Sequence, residues 1–181
     1  MTRPVDPHRS TRGFTLVEMV VAMAVFSITA GGIWGLLATQ AQSSRLTNNF
    51  LQVQQNARYA MERFEEEGQW ASGVSTASGG ATPSVTFSIP ANNPVSPGTA
   101  YTVQYALTGS STITRAVNGG TASDVAANVT AFTLTYYDNA VPANTLAVAN
   151  AGNAYRVTVS ITATLGAQTR TFTSDVFFRN K

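Results

Sequence analysis

The order of apolar and polar residues first marks out a long uncharged segment near the N-terminus. No residue from Met19 to Ser44 is charged, and Met19–Ala38 consists mostly of Met, Val, Ala, Ile, Leu and Phe. About 20 apolar residues in a helix cross the roughly 30 Å core of a bilayer. The apolar part of a cleaved secretory signal is shorter, about 7–15 residues. The pattern therefore predicts a membrane-spanning helix that is not an ordinary cleaved signal.

Beyond this segment, apolar residues recur every three or four positions, as on one face of a helix. The stripe consists of Leu46, Phe50, Val53, Ala57, Ala60 or Met61, and Phe64. A continuous helix over 14–69 would be about 84 Å long at a rise of 1.5 Å per residue. Gly68 and the glycines at 73, 79 and 80 predict its end.

Residues 71–181 show a period of two, which is typical of half-buried strands. Strands are predicted at 85–89, 101–105, 112–117, 132–136, 157–161 and 169–177. One face of each is apolar and the other is rich in hydroxyls, so we expect an antiparallel sheet covered on one side by the helix stripe. The adjacent Tyr136 and Tyr137 must then face opposite sides. The predicted fold class is α+β.

Composition excludes many kinds of catalytic site. The sequence has no Cys, its single His is His8, and only 11% of its 181 residues are charged. If the N-terminus is removed, the chain contains neither His nor Cys. A catalytic triad with a His base and a metal site with His or Cys ligands are then excluded. Asp124, Asp138 and Asp175 are too far apart in sequence to indicate a calcium site. We therefore predict no enzymatic activity, no cofactor and no metal.

The net charge of +2 lies in the N-terminal leader, residues 1–13, where Arg3, Arg9 and Arg12 outnumber Asp6. These arginines predict that the N-terminal side of the span is cytoplasmic and the rest of the chain outside. Elsewhere the arginines are scattered and the only Lys is Lys181. Nucleic acid is a possible partner, but no basic patch supports it.

Glu18 stands at the entrance of the apolar segment. An acid at bilayer depth costs about 2.5–3.5 kcal/mol, so such residues usually have a partner. Alternatively, Glu18 lies at the membrane interface in the first helical turn, where the helix dipole favours a carboxylate by about 0.3–1 kcal/mol. Position alone does not decide between these two interpretations.

The string Arg12-Gly13-Phe14-Thr15-Leu16-Val17-Glu18 resembles the processing site of type IV prepilins and type II secretion pseudopilins. The resemblance implies cleavage between Gly13 and Phe14 by a prepilin peptidase, N-methylation of Phe14, and retention of the apolar span in the product. The implied partners are that peptidase, other pilin or pseudopilin subunits, the inner-membrane assembly platform and, before assembly, membrane lipid.

The resemblance also gives Glu18 a role in assembly and register. Cleavage frees an ammonium group on Phe14. The ammonium of a neighbouring, axially shifted subunit could lie beside the Glu18 carboxylate. At about 4 Å and an effective dielectric near 20, the pair is worth roughly 4 kcal/mol of Coulomb energy, comparable to the cost of burial.

Two further features of the helix each have two interpretations. Gly31, Gly32 and Gly35 either allow close helix packing or form a weak point that unwinds when the subunit leaves the lipid. The acidic run 65–67 is expected on a solvated surface rather than in a contact with another subunit. Spacing pairs Arg58 with Glu62 and Arg63 with Glu67.

The residues from Tyr101 to Asn180 are similar to the sheet domain of minor pilins and minor pseudopilins, without the cysteines of many major pilins. The expected organisation is a cleaved leader (1–13), a transmembrane and filament-core helix (14–39), an amphipathic continuation (40–70) and a sheet domain (71–181). We expect a structural subunit of a type IV pilus or type II secretion pseudopilus. It would first cross the inner membrane once, then join a filament in the periplasm or on the cell surface.

Two other functions remain open. One is a membrane-anchored or pilus-tip binding module for DNA uptake, adhesion or a secreted substrate. The other is a soluble exported protein cut after Thr39-Gln40-Ala41, a small-residue site of the signal-peptidase kind.

Overall fold

A computed structural model of the protein describes residues 13–109 and 111–181. Within these ranges the chain forms one long helix, nine strands and one short 3-10 helix. Residues 1–12 of the basic leader, with Arg3, Arg9 and Arg12, lie outside the described residues. The chain divides into a first unit that ends at Arg45 and a second unit, Leu46–Lys181.

The elements follow one another in the order helix, then strands. Their bounds are α1 Leu16–Trp70, β1 Gly73–Ser78, β2 Ser84–Ile89, β3 Tyr101–Thr108, β4 Thr112–Val117, β5 Ser123–Ala127, β6 Val129–Tyr137, β7 Thr145–Leu146, the 3-10 helix Val148–Asn153, β8 Arg156–Leu165 and β9 Gln168–Phe177. A long helix followed by antiparallel sheets confirms the predicted α+β class.

In the first unit, the apolar side chains of α1 are exposed on every side. Phe26, Ile28 and Trp34, for example, are each more than 70% exposed. The helix contains an 18-residue window with a mean hydropathy of 2.0, none of it buried, and is long and apolar enough to cross a membrane.

The few hydroxyl side chains of this segment bond to the helix itself. Ser27 donates to the carbonyl of Met23 at 2.7 Å, and Thr39 donates to that of Gly35 at 2.9 Å. A hydroxyl bonded to a carbonyl of the preceding turn does not need water. These polar residues are therefore compatible with an apolar environment.

In the second unit, the strands form two antiparallel sheets rather than a single one. Sheet A has the order β1-β2-β3-β4-β5, and sheet B has the order β7-β6-β8-β9. The chain passes from β5 to β6 through Asn128 alone, whose φ is 61°. Asn tolerates this left-handed conformation better than most residues, which permits an abrupt change of direction between the two sheets.

All six predicted strands are present, and three short strands were not predicted. β1 contains one deeply buried apolar residue, Val74, and its register with β2 shifts between Val74 and Thr76. β5 is rich in Ala, and β7 has only two residues. None of the three carries enough alternating apolar residues for a period of two to be recognised.

The predicted stripe of the helix packs into the core between the sheets. Val53, Ala57, Ala60, Met61 and Phe64 are buried, whereas Leu46 remains 43% exposed. The Phe64 ring lies edge-on to rings of both sheets, with centroids 5.0 Å from Phe87 in sheet A and 6.3 Å from Phe132 in sheet B. Phe64 thus joins the helix to both sheets.

Gly68 serves close packing rather than marking the helix end, which lies at Trp70. A Cβ at Gly68 would stand 2.6 Å from Cγ1 of Val176 in β9. The glycine therefore allows the last turns of α1 to approach sheet B at a distance that a larger residue would prevent.

The acidic run does not form one solvated surface, because Glu67 is only 1% exposed. Its carboxylate accepts hydrogen bonds from the Tyr105 hydroxyl at 2.5 Å and from Nε and Nη2 of Arg115. The predicted pair of Arg63 with Glu67 is wrong, because Arg63 contacts Glu66 instead, at 3.7 Å. The predicted pair of Arg58 with Glu62 is present at 2.8 Å.

This buried cluster of Glu67, Tyr105 and Arg115 fixes the helix against β3 and β4. Burial, together with the adjacent Glu67, raises the pKa of Tyr105 well above its usual value, so the hydroxyl keeps its proton. The hydrogen bonds and charge of Glu67 raise the pKa of Arg115. A buried carboxylate is tolerated only when such partners satisfy it.

Tyr136 and Tyr137 face opposite sides of β6, as predicted. Tyr136 is 1% exposed, and among the described residues its hydroxyl is the one buried side-chain polar group without a hydrogen-bond partner. Burial raises the pKa of this hydroxyl. Tyr137 is half-buried beneath the guanidinium of Arg156, which lies 4.1 Å from its ring centroid.

We expect Arg115→Met to destabilise the second unit by about 3 kcal/mol, because it leaves the Glu67 carboxylate buried without its cation. Adding Glu67→Gln should restore part of this loss, since the amide carries no charge. The control Arg63→Met, which breaks an exposed pair, should cost less than about 0.5 kcal/mol. Urea unfolding of the full-length chain in detergent measures all three. Equal losses for Arg115→Met and Arg63→Met would contradict a stabilising role for the buried pair.

Replacing Tyr136 by Phe should leave stability unchanged or raise it by about 1 kcal/mol, since the lost hydroxyl has no partner. The matched variant Tyr105→Phe should cost about 1–3 kcal/mol, because it removes a donor from buried Glu67. The midpoint of thermal unfolding distinguishes the two variants. A clear loss of stability in Tyr136→Phe would show that its hydroxyl is satisfied in solution.

Candidate processing and assembly site

The residues around the expected cleavage position precede the helix. Gly13, Phe14 and Thr15 form neither helix nor strand and are exposed, and the Phe14 side chain is 87% exposed. Because no regular structure holds this backbone, the Gly13–Phe14 bond is accessible to a protease.

Thr15 and Glu18 cap the first turn of the helix reciprocally. The backbone N–H of Glu18 donates to Oγ1 of Thr15 at 3.3 Å. The backbone N–H and the hydroxyl of Thr15 donate to Oε2 of Glu18 at 3.1 and 3.2 Å. This is a capping box, in which an N-cap Thr and an acid three residues later satisfy N–H groups that the helix leaves free.

The capping box places Glu18 in the first helical turn, as one of its two interpretations predicted. Its carboxylate also lies at the N-terminal, positive end of the helix dipole. Only Oε2 takes part in the capping bonds. The proposed pairing of Glu18 with a neighbouring ammonium involves a second copy of the chain and stays a prediction.

Thr15 is a functional residue of this site that the sequence predictions do not include. The signal was present, because a Thr three residues before a Glu at the start of an apolar helix is the sequence pattern of a capping box. The charge of Glu18 and its place in the motif predict a partner on another chain, whereas its spacing to Thr15 explains its position within its own chain.

Gly31, Gly32 and Gly35 lie within the unbroken helix. A Cβ built on any of them would meet no atom within 4 Å outside the adjoining helix backbone. In a single chain these glycines therefore leave an open surface on α1. Both the close-packing and the weak-point interpretation remain predictions.

The acidic residues considered for calcium have separate local roles. Asp138 accepts hydrogen bonds from the side-chain amide of Asn144 and from the backbone N–H groups of Asn144 and Ala140, and these bonds lower its pKa. Asp175 contacts Arg156 at 3.3 Å. Within residues 13–109 and 111–181, no group of three or more His, Asp or Glu side chains could hold a metal ion.

Comparison with known proteins identifies the N-terminal segment. Residues 8–34 match the prokaryotic N-terminal methylation motif. No curated protein and no solved structure matches the chain. The matched segment includes Gly13, Phe14 and Glu18, and the apolar helix begins within it. The chain therefore carries the hallmark of type IV pilins and pseudopilins, and the resemblance of residues 12–18 to their processing site is confirmed.

Proposed function

We propose that the chain is a minor pilin or minor pseudopilin, a structural subunit of a type IV pilus or a type II secretion pseudopilus. The methylation motif directly before a helix that is apolar on every side carries this proposal. Pilins and pseudopilins are structural proteins, and we propose no enzymatic activity for this chain.

Processing follows from the position of the motif. The prepilin peptidase removes residues 1–13 and methylates the new amino group of Phe14. The exposed, non-helical backbone at Gly13 and Phe14 supports this step. The product keeps the membrane span (14–39), the amphipathic continuation (40–70) and the sheet domain (71–181).

The apolar helix sets the location of the subunit before and after assembly. In the inner membrane, lipid covers its side chains, and the sheet domain lies outside the cytoplasm. The assembly platform then moves the subunit into a filament, in the periplasm or on the cell surface, where the helices of other subunits replace the lipid. Both environments bury the same apolar surface.

Glu18 sets the register between subunits in this scheme. In the isolated chain, Oε2 of the Glu18 carboxylate accepts hydrogen bonds from Thr15 of the same chain. In the filament, the Phe14 ammonium of an axially shifted neighbour adds an opposite charge to the same carboxylate. This pairing offsets the cost of burying the acid among apolar helices.

The minor role is supported by the composition of the sheet domain. The sequence contains no Cys, so the C-terminal disulfide loop of many major pilins cannot form.

The alternative of a binding module concerns the outer surface of the sheets and is compatible with the same anchor.

Glu18→Gln tests the charge separately from the helix cap, because Gln replaces Glu in a capping box. The variant should be inserted into the membrane and processed normally but enter filaments at least tenfold less than wild type. Immunoblots of sheared filaments and of membranes, from the native cell, measure both pools.

Glu62→Gln is the matched control, since Glu62 is a solvent-exposed helix glutamate paired only with Arg58 among the described contacts. It should enter filaments like wild type. Normal incorporation of Glu18→Gln would contradict the register role.

A further inference from the structure

The outer face of sheet B carries a regular array of hydroxyl groups. Alternate residues of β8 from Val157 to Ala163 are buried in the core, so Thr158, Ser160, Thr162 and Thr164 point outward. The register places Thr169, Thr171 and Thr173 of β9 directly opposite Thr164, Thr162 and Ser160. We call these seven residues the hydroxyl face.

Six of the seven hydroxyls of this face pair with one another across the strands, and the seventh, that of Thr158, donates to the Asp175 carboxylate. Thr162 and Thr171 lie 2.9 Å apart, as do Thr164 and Thr169. A hydroxyl has one donor and two lone pairs, so a pair joined by one bond keeps a spare O–H and several lone pairs. The pairing thus orients the side chains while donors and acceptors remain available to a ligand.

The array extends onto β6 with the same spacing. Thr133 lies opposite Ser160, and Thr135 lies opposite Thr158. Neighbouring strands are about 4.8 Å apart, and outward residues on one strand are about 6.8 Å apart. The face therefore offers hydroxyls at repeating intervals in two directions.

An aromatic row closes one end of the hydroxyl face. Tyr137, Arg156 and Phe177 are adjacent across β6, β8 and β9. The Arg156 guanidinium lies 4.1 Å from the Tyr137 centroid and 5.7 Å from the Phe177 centroid. The Phe177 ring is nevertheless 59% exposed, although it lies beside polar residues at the edge of the sheet.

The face carries no net charge. Asp175 lies on it opposite Thr158, whose hydroxyl donates to the carboxylate, and Arg156 of the aromatic row balances its charge in an ion pair at 3.3 Å. Nucleic acids and anionic membranes are held by unpaired Lys and Arg, which are not found among these positions. A ligand that complements this surface is itself uncharged and rich in hydroxyls, and has apolar C–H groups to cover an aromatic ring.

We propose that the hydroxyl face and the adjoining aromatic row form a binding site for a neutral polysaccharide. The sugar hydroxyls exchange hydrogen bonds with the Thr and Ser side chains. The C–H face of one sugar ring covers the exposed ring of Phe177, and burial of this apolar surface favours binding over hydration. The polysaccharide site lies in the sheet domain, and binding to it does not depend on filament assembly.

The experiment measures binding of the full-length chain to neutral polysaccharides, in a detergent that has no sugar headgroup. The probes are beads or particles of cellulose, chitin, starch, dextran, agarose, mannan and xylan, and the bound fraction is titrated against the amount of each. We expect saturable binding to at least one of them.

Two face variants test where the polysaccharide binds. Thr162→Val with Thr171→Val removes one hydroxyl pair but keeps two β-branched side chains of strand-forming type. Phe177→Ala removes the exposed ring. Each should weaken binding at least tenfold, whereas Phe177→Trp should retain it.

The matched control lies on the other sheet. Thr76 and Thr86 form a cross-strand hydroxyl pair at 2.8 Å between β1 and β2 of sheet A. The double variant Thr76→Val with Thr86→Val should bind like wild type. Thermal unfolding of every variant checks that the fold is retained.

Four results would overturn the proposal. The first is that none of the seven polysaccharides binds, and the second is that the face variants leave binding unchanged. The third is that only heparin or DNA binds. The fourth is that sedimentation shows two copies of the chain joined through this face.

Discussion

The apolar side chains of the first unit require an environment other than water. A helix apolar on every side cannot be satisfied by covering one face, and none of the most apolar window of α1 is buried. Lipid or other helices of the same kind are the two environments that cover all sides. The proposed membrane and filament stages both depend on the proposed retention of this helix after cleavage.

In the second unit, α1 buries only one face. The sheets cover this face, and Phe64 and Gly68 of the helix pack against them. The buried cluster of Glu67, Tyr105 and Arg115 adds a directional contact to this apolar packing. A buried ion pair contributes little net stability compared with apolar residues of similar size, but removal of one partner is costly.

The sequence predicted those features that depend on local periodicity. The helix and six strands follow from spacings of three to four and of two, which persist over many residues. The division into two sheets depends on pairing between distant segments and on the turn at Asn128, and no local pattern encodes it. The short strands β5 and β7 are held by their neighbours rather than by their own residues.

Two positions, one in the candidate site and one in the core, have sequence patterns that predict their surroundings better than their charge does. Thr15 and Glu18 have the spacing of a capping box. Glu67 lies three residues after Phe64 and thus continues the buried stripe, although its charge predicts an exposed position. In both cases the spacing is more informative than the charge. A charged residue in a buried pattern indicates a partner, which in this protein is Arg115.

The mass of the intact protein isolated from its native cell tests whether the apolar helix is retained. We expect a chain that begins at Phe14 and carries one added methyl group. A functional protein that begins at Gln42, or that still carries Met1, would contradict this expectation.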